Sequence, residues 1–383
     1  MSQDNKINVL HVSIGLSTGG LERVITILTT RMDKEFFSVG SLCLRYVGEF
    51  GEYLQKNGYS VDTFPQNPNH FDIRDPWRLS RYLKKRNVDV VHAHSGAFFM
   101  SVAAARLAGI PAVFYTDHGR PQVEGTKRMI EEAVTARFVD RVIAVSEELK
   151  QHLITKTHFP AGKIEVIVNG IDTDVFRPRP KPQKLLAEFR LPENARIVGS
   201  TGRFSREKGY HILIDSFRRV IDKIPDAYLL LVGDGPQRDD LERQSETARC
   251  KNRIIFTGVR SDIPELLNMF DIFVLPSIYE GTSMSLLEAM ASGKPPVATR
   301  VGGNLSIISH QESGLLVPSE NPEALAEAIV ELLSDEGKRA AFGKASEKKI
   351  RADYSQENMV RKYSELYLSV LQRKKRFLNT RLP

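Results

Sequence analysis

Cysteine is nearly absent from this 383-residue chain: Cys43 and Cys250 stand far apart. That excludes a disulfide framework and a cysteine-ligated zinc site, and it fits a reducing compartment. Long apolar runs are missing too. No stretch reaches the roughly 18–20 residues needed to span a bilayer. The lead MSQDNKINVLHV holds an apolar run too short for a signal-peptide core. A cytoplasmic protein is expected, soluble or peripheral on the inner face of the membrane. There is no short-period repeat and no low-complexity segment. Charge of one sign is not concentrated. The formal +7 and the pI of about 9.2 come from a cationic excess shared by both halves, which argues against a nucleic-acid module. One local exception is the tail Arg373-Lys374-Lys375-Arg376 with Arg381, suited to anionic headgroups or to plain solvent. The 41% hydrophobic and 26% charged content is that of a globular protein, and the length suits two domains.

What is present is a β-then-α rhythm. Ile7–Val12, Phe37–Leu44, Ser60–Phe64, Val88–His92, Ala112–Tyr115, Arg141–Val145 and Lys163–Val168 read as short buried strands. Leu21–Arg31, Trp77–Arg86, Ala97–Ala108 and Thr126–Phe138 between them have helical spacing. The rhythm pauses at Phe176-Arg177-Pro178-Arg179-Pro180-Lys181-Pro182, where alternating prolines suit neither helix nor central strand. Residues 1–175 are therefore expected to form one domain, 176–195 a linker and 196–356 a second. The second run of strands is Arg196–Thr201, Tyr228–Val232, Ile254–Thr257, Ile272–Leu275, Pro296–Ala298 and Gly314–Val317. A last helix, Glu357–Arg373, follows both sheets. The expected fold class is α/β, with two tandem doubly wound Rossmann-like domains. Each has a crevice at the carboxyl ends of its strands, and the ligand is expected in a cleft where the two crevices face each other.

Four motifs stand at strand ends. Ser17-Thr18-Gly19-Gly20 opens the first helix, where free amides favour an anion or reacting centre, but it lacks the spacing of a dinucleotide fingerprint. Gly202-Arg203-Phe204-Ser205-Arg206-Glu207-Lys208-Gly209 places cations on a glycine-bounded strand-to-helix turn, which suits a diphosphate. In Glu280-Gly281-Thr282-Ser283-Met284-Ser285-Leu286-Leu287-Glu288, Thr282 or Ser283 can cap a helix. The free amides of Ser283, Met284, Ser285 and Leu286 would then point at a ligand. A carboxylate there suits a diol, from which it accepts two hydrogen bonds. His92-Ala93-His94 and Asp117-His118-Gly119 form the fourth group. A metal needs a third ligand, so a ligand-contacting His118 or a structural histidine reads better than a metal site. Asp172-Thr173-Asp174 matches an Asp-x-Asp metal pattern, but its place before the prolines reads as turn and cap chemistry.

In this order, the motifs resemble the retaining glycosyltransferases of family 4, which have the GT-B fold. The resemblance covers nearly the whole chain and is most specific in EGTSMSLLEAMASGKPPVATRVGG, residues 280–303, which carries the Glu-x7-Glu signature as Glu280 and Glu288. Gly202-Arg203 with Lys208-Gly209, Val232-Gly233-Asp234-Gly235-Pro236 and Phe256-Thr257-Gly258 fall in the expected order. The resemblance implies that Arg203 and Lys208 hold the donor diphosphate, Glu288 binds the ribose hydroxyls, and Glu280 contacts the sugar near its 3-hydroxyl. It further implies that the Ser283–Leu286 amides hold sugar hydroxyls and phosphate oxygens. Backbone of Gly258, Val259 and Arg260 would face the base, His118 would reach the donor sugar, and Gly19 and Gly20 would lie against donor and acceptor. The final helix would cross back to the first domain. Two departures are Pro295-Pro296, where relatives often have one proline, and Arg300, where many have a small polar residue.

The implied activity is transfer of a hexosyl group from a nucleotide sugar, UDP before GDP, to a saccharide or lipid-linked acceptor in polysaccharide, lipopolysaccharide or glycolipid synthesis. The resemblance implies no metal and no cofactor beyond the donor, and the composition gives no sign of nucleic acid. Two rivals share the fold: a nucleotide-sugar 2-epimerase, which would need no acceptor, and a non-catalytic nucleotide-sugar binder, which has less need of leaving-group cations. The Thr126–Arg141 stretch, with Lys127, Arg128, Arg137 and Arg141 beside Met129, Ile130, Val134 and Phe138, suits either an anionic membrane surface or an ordinary domain helix.

Overall fold

Every apolar run expected as a strand forms one, and the strands sort into two all-parallel sheets. The structure is a computed structural model that describes residues 6–17, 19–64, 72, 74–119, 125–248 and 250–379. Two units result: the first runs to Asn169 and resumes at Gln356, and the second is Gly170–Ser355.

The first sheet contains β1 (Ile7–Gly15), β2 (Phe37–Tyr46), β3 (Ser60–Thr63), β4 (Val90–His94), β5 (Ala112–Asp117), β6 (Arg141–Ala144) and β7 (Ile164–Val166), in the order β3-β2-β1-β4-β5-β6-β7. Helices α1 (Gly20–Arg31), α2 (Gly48–Lys56), α3 (Asp75–Lys85), α4 (Phe98–Ala108), α5 (Thr126–Thr135) and α6 (Glu147–Thr155) connect the strands. The sequence pattern passed over α2 because that helix buries only Gly51 and Leu54, too few apolar positions to mark a period. β4 and β5 are buried along their whole length, as parallel strands covered on both faces must be. β5 extends two residues past its apolar run to Asp117, which sets His118 at the strand's carboxyl end.

The second sheet contains β8 (Arg196–Thr201), β9 (Ala227–Val232), β10 (Ile254–Gly258), β11 (Ile272–Leu275), β12 (Pro296–Thr299) and β13 (Leu315–Val317), ordered β10-β9-β8-β11-β12-β13. Its helices are α7 (Gln183–Glu188), α8 (Tyr210–Lys223), α9 (Arg238–Thr247), α10 (Ile263–Met269), α11 (Met284–Ala291), α12 (Asn304–Ile307), α13 (Pro322–Ser334) and α14 (Glu336–Asp353). Pro296 is tolerated because it is the first residue of its strand, opposite Phe273, whose N–H donates to the Pro295 carbonyl.

The proline-rich segment is not a free linker. Phe176 is buried, the Arg179 amide donates to Asn268 Oδ1 at 2.7 Å, and Asn268 Nδ2 donates to the Arg177 carbonyl at 3.1 Å. Lys181 pairs with Asp271 at 3.0 Å. Residues 176–195 thus belong to the second unit, and the division falls at Asn169/Gly170. Prolines here set an extended path along α10, and a buried asparagine bonds the backbone on either side.

The last helix, α15 (Gln356–Asn379), packs on the first unit, as the resemblance implies. Its Met359, Val360, Tyr363, Tyr367 and Val370 are buried with Val9, Val24 and Phe114. Burial of this kind is worth about 1.5–3 kcal/mol per large side chain. Lys374 closes the helix end on Asp140 at 2.7 Å.

Candidate functional site

In the second sheet the chain leaves β8 for β9 on one side and later returns to place β11 on the other. The loops after β8 and β11 therefore flank the point where strand order reverses, the usual ligand address in such sheets. The two loops are tied together. Gly209 takes φ +67°, and a Cβ there would lie 2.1 Å from the Pro276 carbonyl, so only glycine fits. The Ile278 amide donates to the Glu207 carbonyl at 2.8 Å.

This junction brings Lys208 and Glu280 into direct contact, which their separation in sequence did not announce. Lys208 Nζ donates to Glu280 Oε1 at 2.9 Å and to Oε2 at 2.7 Å. Glu280 is buried and Lys208 half-buried. Gly302 packs so closely on this loop that a Cβ would stand 1.7 Å from the Glu280 carbonyl. Arg203 is exposed on the same turn. Burial favours the neutral form of Glu207. The Ser205 hydroxyl, the backbone and the charges of Lys208 and Arg203 outweigh it and hold that carboxyl below its ordinary range. The turn is therefore a set of cations partly compensated by two carboxylates, able to exchange one anionic partner for another.

Ser283 caps α11: its hydroxyl accepts the Leu286 amide at 3.4 Å and lies 3.1 Å from the Ser285 hydroxyl. That corrects one expectation. The Leu286 amide is engaged by its own cap, leaving the Ser283, Met284 and Ser285 amides at the helix mouth for a ligand. Glu288 is buried one turn further on. Beside β9, the Gly258 carbonyl accepts the Gly233 amide at 3.0 Å, and Val259 is 80% exposed. The Arg260 guanidinium is held by Asp262 at 2.7 Å and Glu188 at 2.7 Å, so only its backbone can serve a base.

In the first unit, Gly19 and Gly20 are exposed at the start of α1, and Thr18 lies outside the described residues. The first turn of that helix carries Glu22, whose carboxyl burial pushes above its ordinary value. An anion at this N-terminus would meet a carboxyl already there.

Four histidines converge on β1, β4 and β5: His11 and His92 lie side by side in mid-strand, His94 ends β4 and His118 follows β5. His11 Nδ1 is 3.0 Å from His94 Nε2, and His94 Nδ1 is 2.9 Å from His118 Nε2. His92 bonds the Tyr367 hydroxyl through Nδ1 and lies 2.7 Å from Thr116 Oγ1 through Nε2. Burial keeps all four neutral: it lowers His11 and His118 to about 3, and burial with the neighbouring histidines holds His92 and His94 well below 6.5. His11, His92 and His94 each offer a ligand atom within 4.8 Å of the others, a spacing that a metal could use. Their ring nitrogens nevertheless already face one another or a hydroxyl, apart from His11 Nε2. His11 escaped sequence reasoning because it sits in an apolar strand. Only the parallel register, which sets it beside His92, reveals it.

Asp172 Oδ1 accepts the Asp174 amide at 3.0 Å and the Val175 amide at 3.1 Å, the turn chemistry expected of that motif. Arg300 is exposed and bonds Val317 through its backbone; nothing in the structure explains its departure from the family pattern. The side chains of Lys127, Lys375 and Arg376, and the whole of Arg381, lie outside the described residues.

Two family models match the chain in tandem: Glycosyltransferase Family 4 over residues 18–175 and Glycosyl transferases group 1 over residues 183–349. A UDP-Gal:alpha-D-GlcNAc-diphosphoundecaprenol alpha-1,3-galactosyltransferase of Escherichia coli is 29% identical, across 97% of this chain and 99% of its own. An N-acetyl-alpha-D-glucosaminyl L-malate synthase of Bacillus anthracis is 28% identical across 82% of each. Among solved structures, a glycosyltransferase from Rickettsia africae superposes with a TM-score of 0.85 at 25% identity, covering 96% of this chain and 99% of that one. The Anabaena protein HepE, solved with UDP, has the same fold, with a TM-score of 0.84 at 24% identity over 95% of this chain and 100% of that one.

Proposed function

We propose that this chain, which belongs to the GT-B glycosyltransferases with a Family 4 first half and a group 1 second half, moves a hexose from a UDP-sugar to a hydroxyl of a lipid-linked saccharide, with retention of anomeric configuration and without a metal. The observation that carries the reading is the Lys208–Glu280 pair set beside a capped helix mouth. When the sugar–phosphate bond breaks, negative charge grows on the departing diphosphate. Lys208 and Arg203 stabilise it as it develops, and fixed groups do so without reorganisation. Glu280 holds Lys208 before the donor arrives and contacts the sugar, while Glu288 accepts the ribose hydroxyls. The Ser283, Met284 and Ser285 amides take phosphate or sugar oxygens. His118 contacts the transferred sugar, and Gly19 and Gly20 lie by donor and acceptor. The acceptor hydroxyl attacks on the face the diphosphate leaves, passing its proton to a phosphate oxygen.

UDP as the nucleotide and a lipid-linked acceptor are supported by the full-length similarity to the Escherichia coli enzyme. Apolar exposure on the first unit favours contact with an anionic membrane. Phe99, Leu107, Ile130, Val134 and Phe138 are exposed on α4, α5 and the turn after them, and all but Ile130 line a groove of about 470 Å³. Neighbouring α3 adds exposed Trp77, Arg81, Lys84 and Lys85. Aromatic and basic side chains around an apolar patch suit a headgroup layer. No helix among the described residues is long and apolar enough to cross a membrane.

The test is turnover of UDP-galactose, UDP-glucose and GDP-mannose with a GlcNAc-diphospho-lipid acceptor in EDTA, the product anomer being read by NMR. An α-linked product from a UDP-sugar is expected. Loss of activity in EDTA that Mg²⁺ restores, inversion, or conversion of the donor without acceptor would each refute the corresponding part. Sedimentation with anionic vesicles tests the membrane face: Leu107→Ser with Phe138→Ser should release the protein, and undiminished binding would refute that surface.

A further inference from the structure

Three of the neutral histidines form a row with two spare ends. The inner contacts are His11 Nδ1 to His94 Nε2 and His94 Nδ1 to His118 Nε2. The outer nitrogens, His11 Nε2 and His118 Nδ1, are buried and find no hydrogen-bond partner among the described residues. A neutral imidazole carries one N–H and one lone pair. Three rings therefore share three protons, and each inner contact uses one. The third proton must stand at one end, so the row has two states. In one, every ring is protonated at Nδ1, and His118 offers an N–H. In the other, every ring is protonated at Nε2, and the spare N–H is sealed at His11.

The two ends are not equivalent. His11 is 1% exposed, whereas the His118 ring belongs to a residue partly open to solvent. An N–H without an acceptor is rarely left in a core. Neither end has an acceptor among the described residues, and only the state protonated at Nδ1 puts the spare N–H on the residue partly open to solvent, where a ligand oxygen can accept it. Among the described residues, the groups beside the row are engaged with partners of their own. His92, stacked 4.2 Å from His94, is engaged by Tyr367 and Thr116. Tyr363 bonds Thr116, and Asp117 Oδ1 accepts the Gly119 amide.

We propose that His94 and His11 are positioning residues that fix His118 as the Nδ1–H tautomer, so that it donates a hydrogen bond to an oxygen of the transferred sugar and does not act as a base. The sugar contact rests on the function proposed above; the tautomer does not. It follows that His118 selects donors with an acceptor oxygen at the position it faces. His94 acts only through His118.

The experiment is ¹⁵N–¹H correlation of histidine side chains in the full chain, with His118→Ala used to assign the resonance. His118 should show a protonated Nδ1 and a lone-pair Nε2, unchanged from pH 8 to pH 6. His94→Phe, checked for an intact thermal transition, should free His118 Nε2 and let the ring populate both tautomers. kcat should fall about tenfold, the scale of one lost hydrogen bond, with KM little changed. His94→Gln, which can accept from His11 and donate to His118, should recover most of that loss. An Nε2–H or mixed His118 in the wild type overturns the lock, whether or not the variants fold. A locked tautomer with full activity in His118→Ala would leave the lock standing and remove the sugar contact.

Discussion

The two units carry the same kind of sheet and the same kind of address, yet they are furnished oppositely. The second unit's switch point holds charge: Arg203, Lys208 and Glu207 on one loop, and Glu280 on the other. The first unit holds, in and just beyond β1, β4 and β5, four imidazoles that burial keeps neutral. The contrast teaches that topology supplies a place and side chains supply the chemistry. A charged, partly compensated turn can take up the charge of a departing diphosphate. A neutral row can orient a ligand and exchange hydrogen bonds with it, but it brings no charge to offset a phosphate's.

The comparison breaks most sharply at Lys208. Lys208→Ala should lower kcat by about 10²- to 10³-fold, the range for removing one charge-stabilising group, and Arg203→Ala should fall in the same range. Steady-state turnover near wild type in both variants would mean that the second unit does not absorb leaving-group charge. Next in size is Gly302→Ala. At φ +46°, with a carbonyl 1.7 Å from the new Cβ, the Glu280 loop must shift. A loss of about 2–4 kcal/mol in denaturant unfolding, or a folded protein with crippled turnover, is expected. An unchanged protein would show that the loop tolerates movement.

Acid sharpens the contrast from the other side. Unfolded histidines take up protons near 6.5, while His11 and His118 in the folded unit resist until about 3. The unfolded state then binds more protons, so stability is full above 6.5 and is lost progressively as pH falls from there toward 3. Calorimetry between pH 7.5 and 5 should show a falling transition temperature, with less fall in His94→Phe. A flat profile would contradict neutral burial. The smallest effect is expected at Arg260→Ala. Its ion pairs with Glu188 and Asp262 are partly exposed and worth about 0.2–1 kcal/mol. Less than a threefold change in KM for the donor is expected. A large change would place its guanidinium against the base after all.

Strand runs and helix faces were legible in the sequence because parallel strands are buried on both sides and read as plain apolar runs, as at Ile272–Leu275. The division between units was not. The prolines at 178–182 resemble a linker until Asn268, distant in sequence, is seen bonding their backbone. The same limit applied at the site. Glu280, Glu288 and the cap at Ser283 could be read from local spacing. The Lys208–Glu280 contact depends on two loops meeting across a sheet, and His11 depends on strand register. The Leu286 amide looked free because a cap's geometry is not written in its residue type.

The most direct test of the central claim is calorimetric titration of UDP into wild type, Lys208→Ala and Glu288→Gln. Wild type should bind with heat, Lys208→Ala should weaken binding about tenfold or more, and Glu288→Gln should weaken it through the ribose. Equal affinity for UDP in all three proteins would contradict the assignment of the nucleotide to the second unit's charged turn.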